Sequence, residues 1–268
     1  MPPSPFMVSK LPDQLSRPKG VLFDLGDTLL EVKDFNLEGG IRRLLSLTDQ
    51  AELFELSDIK SISDVLYNGI AYSFENSRRH GDLLGKASER IRLDANYEVN
   101  FTSFHRNLFD RIGLTSQFDW ELLDLEFLKI SHIFDKEDYV LEMLTKLTQM
   151  DIKLGIVSNS FHGGKSLSWM LEKAELRHFF AFVLSSADYG FRKPHPELFE
   201  TAIARFGLPR EHVWFVGDKL EADVVGANGV GLKSVWYNTD NKPSTEITPN
   251  LVVGSWAEFE QVINLLQD

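Results

Sequence analysis

From about residue 135 onward, short apolar runs alternate with helical stripes, and this alternation constrains the fold more than any other feature. Val140, Met143, Leu144 and Leu147 mark a helix, which is followed by the apolar run Ile152–Val157. A helical stretch over Lys165–Leu176 leads to the run Phe182–Leu184. The next helix opens at Pro196, a good first-turn residue, and carries Leu198, Phe199, Ala202, Ile203 and Phe206 on one face. Val213–Val216, a helical stretch near Ala222–Asn228, the runs Leu232–Trp236 and Leu251–Val253, and a last helix over Trp256–Leu266 complete the series. The N-terminal part holds one more run of this kind, Gly20–Asp24, ended by a carboxylate and a glycine-bearing turn. Runs this short and apolar throughout read as strands covered on both faces. Strands that alternate with helices pair in parallel. The expected fold is therefore α/β, a doubly wound, Rossmann-like parallel sheet with ligands at the carboxyl ends of its strands.

Between Phe35 and Phe134 the texture differs. Proline is absent, and polar and apolar residues mix at helical spacing. Ile62, Val65, Leu66, Gly69 and Ile70 fit one stripe. Phe101, Phe104, His105, Leu108 and Ile112 fit a second, and Trp120, Leu123, Phe127 and Ile130 a third. No strand is evident here, so residues 36–134 are expected to form an all-helical inserted domain. Residues 20–35 and 135–268 are then the sheet-bearing core. Residues 1–19 hold five of the ten prolines and read as a loose lead-in.

Composition removes several classes of function. The 268-residue chain has no cysteine, which excludes thiol catalysis, disulfides and cysteine-held metals. Its 28 basic and 40 acidic side chains give a net charge of −12, which argues against nucleic acid as the partner. No apolar run approaches the roughly 18 residues of a membrane span, and the N-terminus has no apolar signal core. The expected compartment is the cytoplasm, with no membrane partner.

The strand ends carry the chemistry. The first ends at Asp24, the second in Ser158-Asn159-Ser160, and the third is followed by Lys193-Pro194. The fourth ends in Gly217-Asp218, with Asp223 five residues on. A doubly wound sheet gathers these ends into one crevice. Carboxylates, a hydroxyl and a lysine there suit an anionic substrate held with a small hard cation, Mg²⁺. Each residue alone has a plainer reading: Asp24, Ser158 and Asn159 as turn residues, Lys193 as a solvated side chain, Asp218 and Asp223 as helix caps.

Taken together and in order, these segments resemble the haloacid dehalogenase-like (HAD) hydrolase superfamily. Phe23-Asp24-Leu25-Gly26-Asp27-Thr28-Leu29 is similar to its first motif, and Val157-Ser158-Asn159-Ser160 to its second. Arg192-Lys193-Pro194-His195-Pro196 is similar to the third, and Val216-Gly217-Asp218-Lys219-Leu220-Glu221-Ala222-Asp223 to the fourth. The helical insertion sits where the C1-capped phosphatase branch places its cap. The resemblance implies that Asp24 is a nucleophile that forms an aspartyl-phosphate. It implies that Asp24, the backbone carbonyl of Gly26 and Asp218 hold Mg²⁺, with Asp223 as a ligand or as support for Lys193. It also implies that Lys193, Ser158 and Asn159 serve the phosphate of a small phosphorylated metabolite.

One position departs from the family. The aspartate that serves as general acid and base two residues after the nucleophile is replaced by Gly26, and Asp27 stands one step later. Asp27 has two readings, turn former and substitute acid–base group, and the turn is the favoured one. The substrate could instead carry a good leaving group, or turnover could be low. A metal-independent 2-haloacid dehalogenase and a non-catalytic HAD-like ligand-binding protein are the rival functions. Two spare carboxylates facing Asp24 weigh against the first of these, since they would repel one another without a cation. In the insertion, Arg78, Arg79, His80, His105 and Arg106 could meet substrate, but charged groups on helices are usually solvated. His195 reads as a structural residue at the start of its helix.

Overall fold

The computed structural model describes residues 15–53, 97–243 and 246–267, with the single positions 55, 57, 59 and 61. The stripe Ile62–Ile70, the basic group Arg78, Arg79 and His80, and residues 1–14 lie outside the described residues.

Six strands form one parallel sheet: β1 (Gly20–Phe23), β4 (Lys153–Ser158), β5 (Val183–Ser185), β6 (Val213–Gly217), β7 (Lys233–Tyr237) and β8 (Leu251–Val253). Their spatial order is β5-β4-β1-β6-β7-β8, so β1 lies between β4 and β6. Residues alternate between two apolar layers, as a pleated strand requires. Val21 and Phe23 of β1 and Trp214 and Val216 of β6 face one layer. That layer is filled by α4 (Val140–Gln149), α5 (Gly164–Lys173) and α9 (Trp256–Leu265). Leu22 and Phe215 face the opposite layer, filled by α7 (Pro196–Phe206) and by Ala227 of the short α8 (Val225–Gly229). Both faces are thus covered, which is why the strands read as unbroken apolar runs.

The chain between β1 and β4 contains a two-stranded antiparallel ribbon of β2 (Leu30–Phe35) and β3 (His132–Lys136). This corrects the expectation of no strand between Phe35 and Phe134, because β3 begins at His132 and crosses the expected boundary at 134/135, while β2 ends at the other boundary, at Phe35. Its residues are largely exposed, and its register shifts between Val32 and Asp34. Neither feature leaves an alternating apolar pattern to read. Beyond the ribbon lie α1 (Leu37–Leu45), α2 (Phe101–Ile112) and α3 (Trp120–Ser131). Ile41, Leu44, Phe101, Phe104, Leu108, Leu123 and Phe127 close a third apolar cluster among them. The third expected stripe ends early. Ile130 is exposed, whereas Leu128 turns into the core under the sheet.

Candidate active site

Register brings the strand ends to one level. Phe23 is opposite Ile156 on one side and Val216 on the other, so Asp24 follows at the height of Val157 and Gly217. Asp24 keeps this register beyond the strand, with its N–H donating to the Val216 carbonyl at 2.9 Å. The turn after it is closed by the N–H groups of Leu29 and Leu30, which both donate to the Leu25 carbonyl. Leu25, Leu29 and Leu30 are buried and anchor the turn. Within it, Asp27 takes a left-handed backbone, φ 57°. That conformation suits an Asp in a tight turn. The Asp27 side chain is mostly exposed and lies 3.5 Å from Lys219 Nζ. The plainer turn-forming reading describes this geometry.

The chain then assembles a buried charge cluster. Asp24, Asp218 and Asp223 each offer a carboxylate oxygen, all within 4.8 Å of one another. Lys193 Nζ lies 2.8 Å from Asp24 Oδ1 and 2.7 Å from Asp223 Oδ1. Both lie in the range of charge-assisted ammonium–carboxylate contacts. The ammonium also stands 5.0 Å from the Phe215 ring. Asp223 Oδ2 accepts the Lys219 N–H at 3.0 Å, which holds the wide turn Leu220–Val224 against the end of β6. Gly217 is what makes room. A Cβ there would stand 2.3 Å from Asp223 Oδ2. Thr28 also reaches across and donates to Asp218 Oδ1 at 3.3 Å. Lys219 is ion-paired with Asp218 as well.

The segment from residue 18 to 231 matches the family model for haloacid dehalogenase-like hydrolases. The chain belongs to the haloacid dehalogenase-like hydrolase family. Among curated relatives, the glyceraldehyde 3-phosphate phosphatase of Pyrococcus abyssi is 27% identical over 226 residues, covering 82% of this chain and 81% of that protein. Among solved structures, the HAD-hydrolase YfnB of Bacillus subtilis, crystallised with magnesium, superposes with a TM-score of 0.52 at 23% identity. It covers 93% of this chain and 100% of that one. A 2-haloacid dehalogenase of Pseudomonas syringae superposes with a TM-score of 0.54 at 21% identity, covering 91% of this chain and 97% of that one. These superpositions share the fold.

In this HAD hydrolase the cluster's charges tune one another. Burial drives the Asp24 pKa up to about 6, against the pull of Lys193 and with a further push from Asp223. Burial likewise raises Asp218, opposed by Lys219 and reinforced by Asp24. Burial alone would depress Lys193, but Asp223 and Asp24 outweigh it and raise its pKa. The donor set is all oxygen and carries more negative than positive charge, which fits a small divalent cation.

The Asn159 side chain is engaged by the backbone of Lys193: its amide nitrogen donates to the Lys193 carbonyl at 3.0 Å, and its oxygen accepts the Lys193 N–H at 2.7 Å. It clamps the loop that presents the lysine. Ser158 is buried at the end of β4, opposite Ser185. His195 caps α7, accepting the Glu197 N–H at 3.3 Å on Nδ1, as a structural residue would.

Sequence reading missed a polar junction between insertion and core. Asp124 of α3 accepts from Gly163 N–H at 2.8 Å and Ser166 Oγ at 3.0 Å, and its other oxygen lies 2.5 Å from His162 Nδ1. Burial beside this junction pushes the pKa of His105 and of His132 down to about 4. His105 is thus buried packing in the insertion, with Nδ1 3.1 Å from the Phe101 carbonyl, and Arg106 lies over the Trp120 ring. A lone aspartate inside an apolar helical stripe is the signal that points to Asp124.

Proposed function

We propose that this HAD hydrolase is a Mg²⁺-dependent phosphatase of a small phosphorylated metabolite. The observation that carries the reading is the cluster itself. Three carboxylates within 4.8 Å are offset by the buried Lys193 and, at Asp218 alone, by the exposed Lys219, an arrangement that favours a further cation beside Asp24. A metal-independent dehalogenase would have no use for Asp218 in that position. The phosphatase relatives over most of the chain's length support the same choice.

In this reading Asp24 attacks phosphorus. A bond forms between its carboxylate oxygen and phosphorus as the bond to the leaving oxygen breaks. Water then attacks the aspartyl-phosphate, releasing inorganic phosphate and restoring Asp24. Asp24, the Gly26 carbonyl and Asp218 would hold Mg²⁺, which supplies charge neutralisation at the phosphoryl oxygens. Lys193 neutralises Asp24 and a phosphoryl oxygen, and Asp223 holds the lysine in place. Ser158 takes a phosphoryl oxygen. The clamp at Lys193 supports a positioning role for Asn159 rather than a substrate contact. Residues 36–134 would act as a cap of the C1 type that shields the crevice and favours small substrates over phosphoproteins.

The test is hydrolysis of a panel of phosphorylated metabolites and an aryl phosphate, with Mg²⁺ and with chelator, alongside Asp24→Asn. Turnover that requires both Mg²⁺ and Asp24 is expected. Turnover of a 2-haloacid in excess chelator, with none of any phosphate ester, would overturn the reading.

A further inference from the structure

We propose that Glu98 is a positioning residue for this reaction: from the inserted segment it ties together the core loop that follows Ser158 and the one that carries Lys193. The inference rests on the phosphatase reading above.

Glu98 precedes α2 and carries a side chain only 2% exposed. A carboxylate so deeply buried must be paired and hydrogen-bonded, or it is costly. Both of its oxygens are engaged. Arg192 Nη1 donates to Oε1 at 2.6 Å and to Oε2 at 2.7 Å. Ser186 Oγ donates to Oε2 at 2.5 Å.

Each partner leads to a different catalytic loop. Arg192 is the residue before Lys193. Ser186 Oγ in turn accepts the Ser160 N–H at 2.8 Å, two residues after Ser158. The carboxylate therefore braces the lysine loop from one side, while Asn159 grips the backbone of Lys193 from the other. Neighbouring residues fix the same contact. Glu98 N–H donates to the Gly190 carbonyl at 2.9 Å, and Asn100 Nδ2 to the Ala187 carbonyl at 3.0 Å. Tyr97 bridges Phe191 in antiparallel fashion, and Phe101 N–H donates to the Phe161 carbonyl at 2.7 Å. Residues 97–101 thus dock on both loops at once, and Glu98 is the point where the two converge.

A stabilising ion pair and a positioning device make different demands. If Glu98 only stabilised the fold, its loss would lower Tm and leave turnover per folded molecule intact. If it positions the loops, its loss lowers kcat, because a displacement of about 1 Å at a reacting group costs on the order of a hundredfold.

The experiment compares the full chain with Glu98→Ala, Glu98→Gln, Arg192→Ala and the double variant Glu98→Ala/Arg192→Ala. The substrate is 4-nitrophenyl phosphate with Mg²⁺. Readouts are kcat, KM, Tm and hydrogen exchange at the Ser160 and Lys193 amides. We expect Glu98→Ala to lower kcat about ten- to a hundredfold while KM moves less than about threefold. Exchange at both amides should quicken, and Glu98→Gln should fall between. The double variant should be no slower than the worse single one, because both act through one contact. Should Glu98→Ala fail to fold, Glu98→Gln decides alone. A kcat within about twofold of the parent in the folded variants, with any loss confined to Tm, overturns the inference and leaves the phosphatase reading standing. If the parent chain hydrolyses no phosphate ester, that reading fails and the inference falls with it.

Discussion

Gly217→Ala should damage the site through a single methyl group. A Cβ at Gly217 would stand 2.3 Å from Asp223 Oδ2 and 2.4 Å from its Cγ, so the carboxylate must retreat by about 1 Å to reach ordinary contact. Asp223 cannot swing into solvent, being 1% exposed. It also cannot move freely, because one oxygen faces Lys193 Nζ at 2.7 Å and the other accepts Lys219 N–H at 3.0 Å. Overpacking of this kind costs roughly 1–3 kcal/mol, and the loosened ion pair adds to it. A total of about 2–4 kcal/mol corresponds to a Tm lower by roughly 5–15 °C in a chain of this size. Lys193 shifts with its partner, so kcat should fall by about a hundredfold. Thermal unfolding followed by circular dichroism and hydrolysis of an aryl phosphate measure the two effects. Gly229→Ala is the control, since nothing lies within 4 Å of its Cβ position and its backbone is not left-handed. It should change stability by no more than about 1 kcal/mol. Gly217→Ala with the parent's Tm and kcat would refute the claim that Asp223 is wedged beneath the end of β6.

Further outcomes follow from the same geometry. At Gly26 nothing lies within 4 Å of a Cβ, so Gly26→Asp should fold normally. It should raise turnover of alkyl phosphates by about tenfold or more and change esters of acidic phenols little, because only poor leaving groups need a proton. Lys219→Met removes a cation paired with Asp218 and should tighten Mg²⁺ binding by about two- to fivefold in calorimetry. The pH dependence follows from Asp24, whose pKa rises from 3.8 unfolded to about 6 folded. Between those values the folded chain keeps a proton that the unfolded chain has lost, so without metal this group's contribution to stability falls as pH rises through the window. A cation that needs Asp24 ionised has the opposite preference. The rise in Tm on adding Mg²⁺ should be full at pH 7.5 and smaller at pH 5, where protonation of Asp24 weakens apparent binding about tenfold.

What could be read from the chain follows a physical rule. Strands covered on both faces advertise themselves as apolar runs, and the residues at their ends fall in one crevice by topology alone. That Asp24, Lys193, Asp218 and Asp223 gather at one place was therefore legible in the sequence. The ribbon β2–β3 was not, because its exposed, bulged strands carry no alternation. Asn159 looked like a substrate contact, since nothing local reveals that its amide meets a backbone 34 residues away. Glu98 was missed for the same reason, and Asp124 because its one local signal, an aspartate inside an apolar stripe, does not name its partners. A buried carboxylate is recognised by its partners, and Arg192, Ser186, Gly163 and Ser166 are remote from it in sequence.

The central claim is that Asp24 carries the phosphoryl group during turnover. Acid quench of a single turnover with Mg²⁺ and an aryl phosphate, followed by peptide mass spectrometry, tests it directly. The account predicts a phosphoryl group on the peptide bearing Asp24 that rises and decays at the rate of product release and is absent from Asp24→Asn. Efficient Mg²⁺-dependent hydrolysis by Asp24→Asn, or a phosphoryl group trapped on another residue, would contradict it.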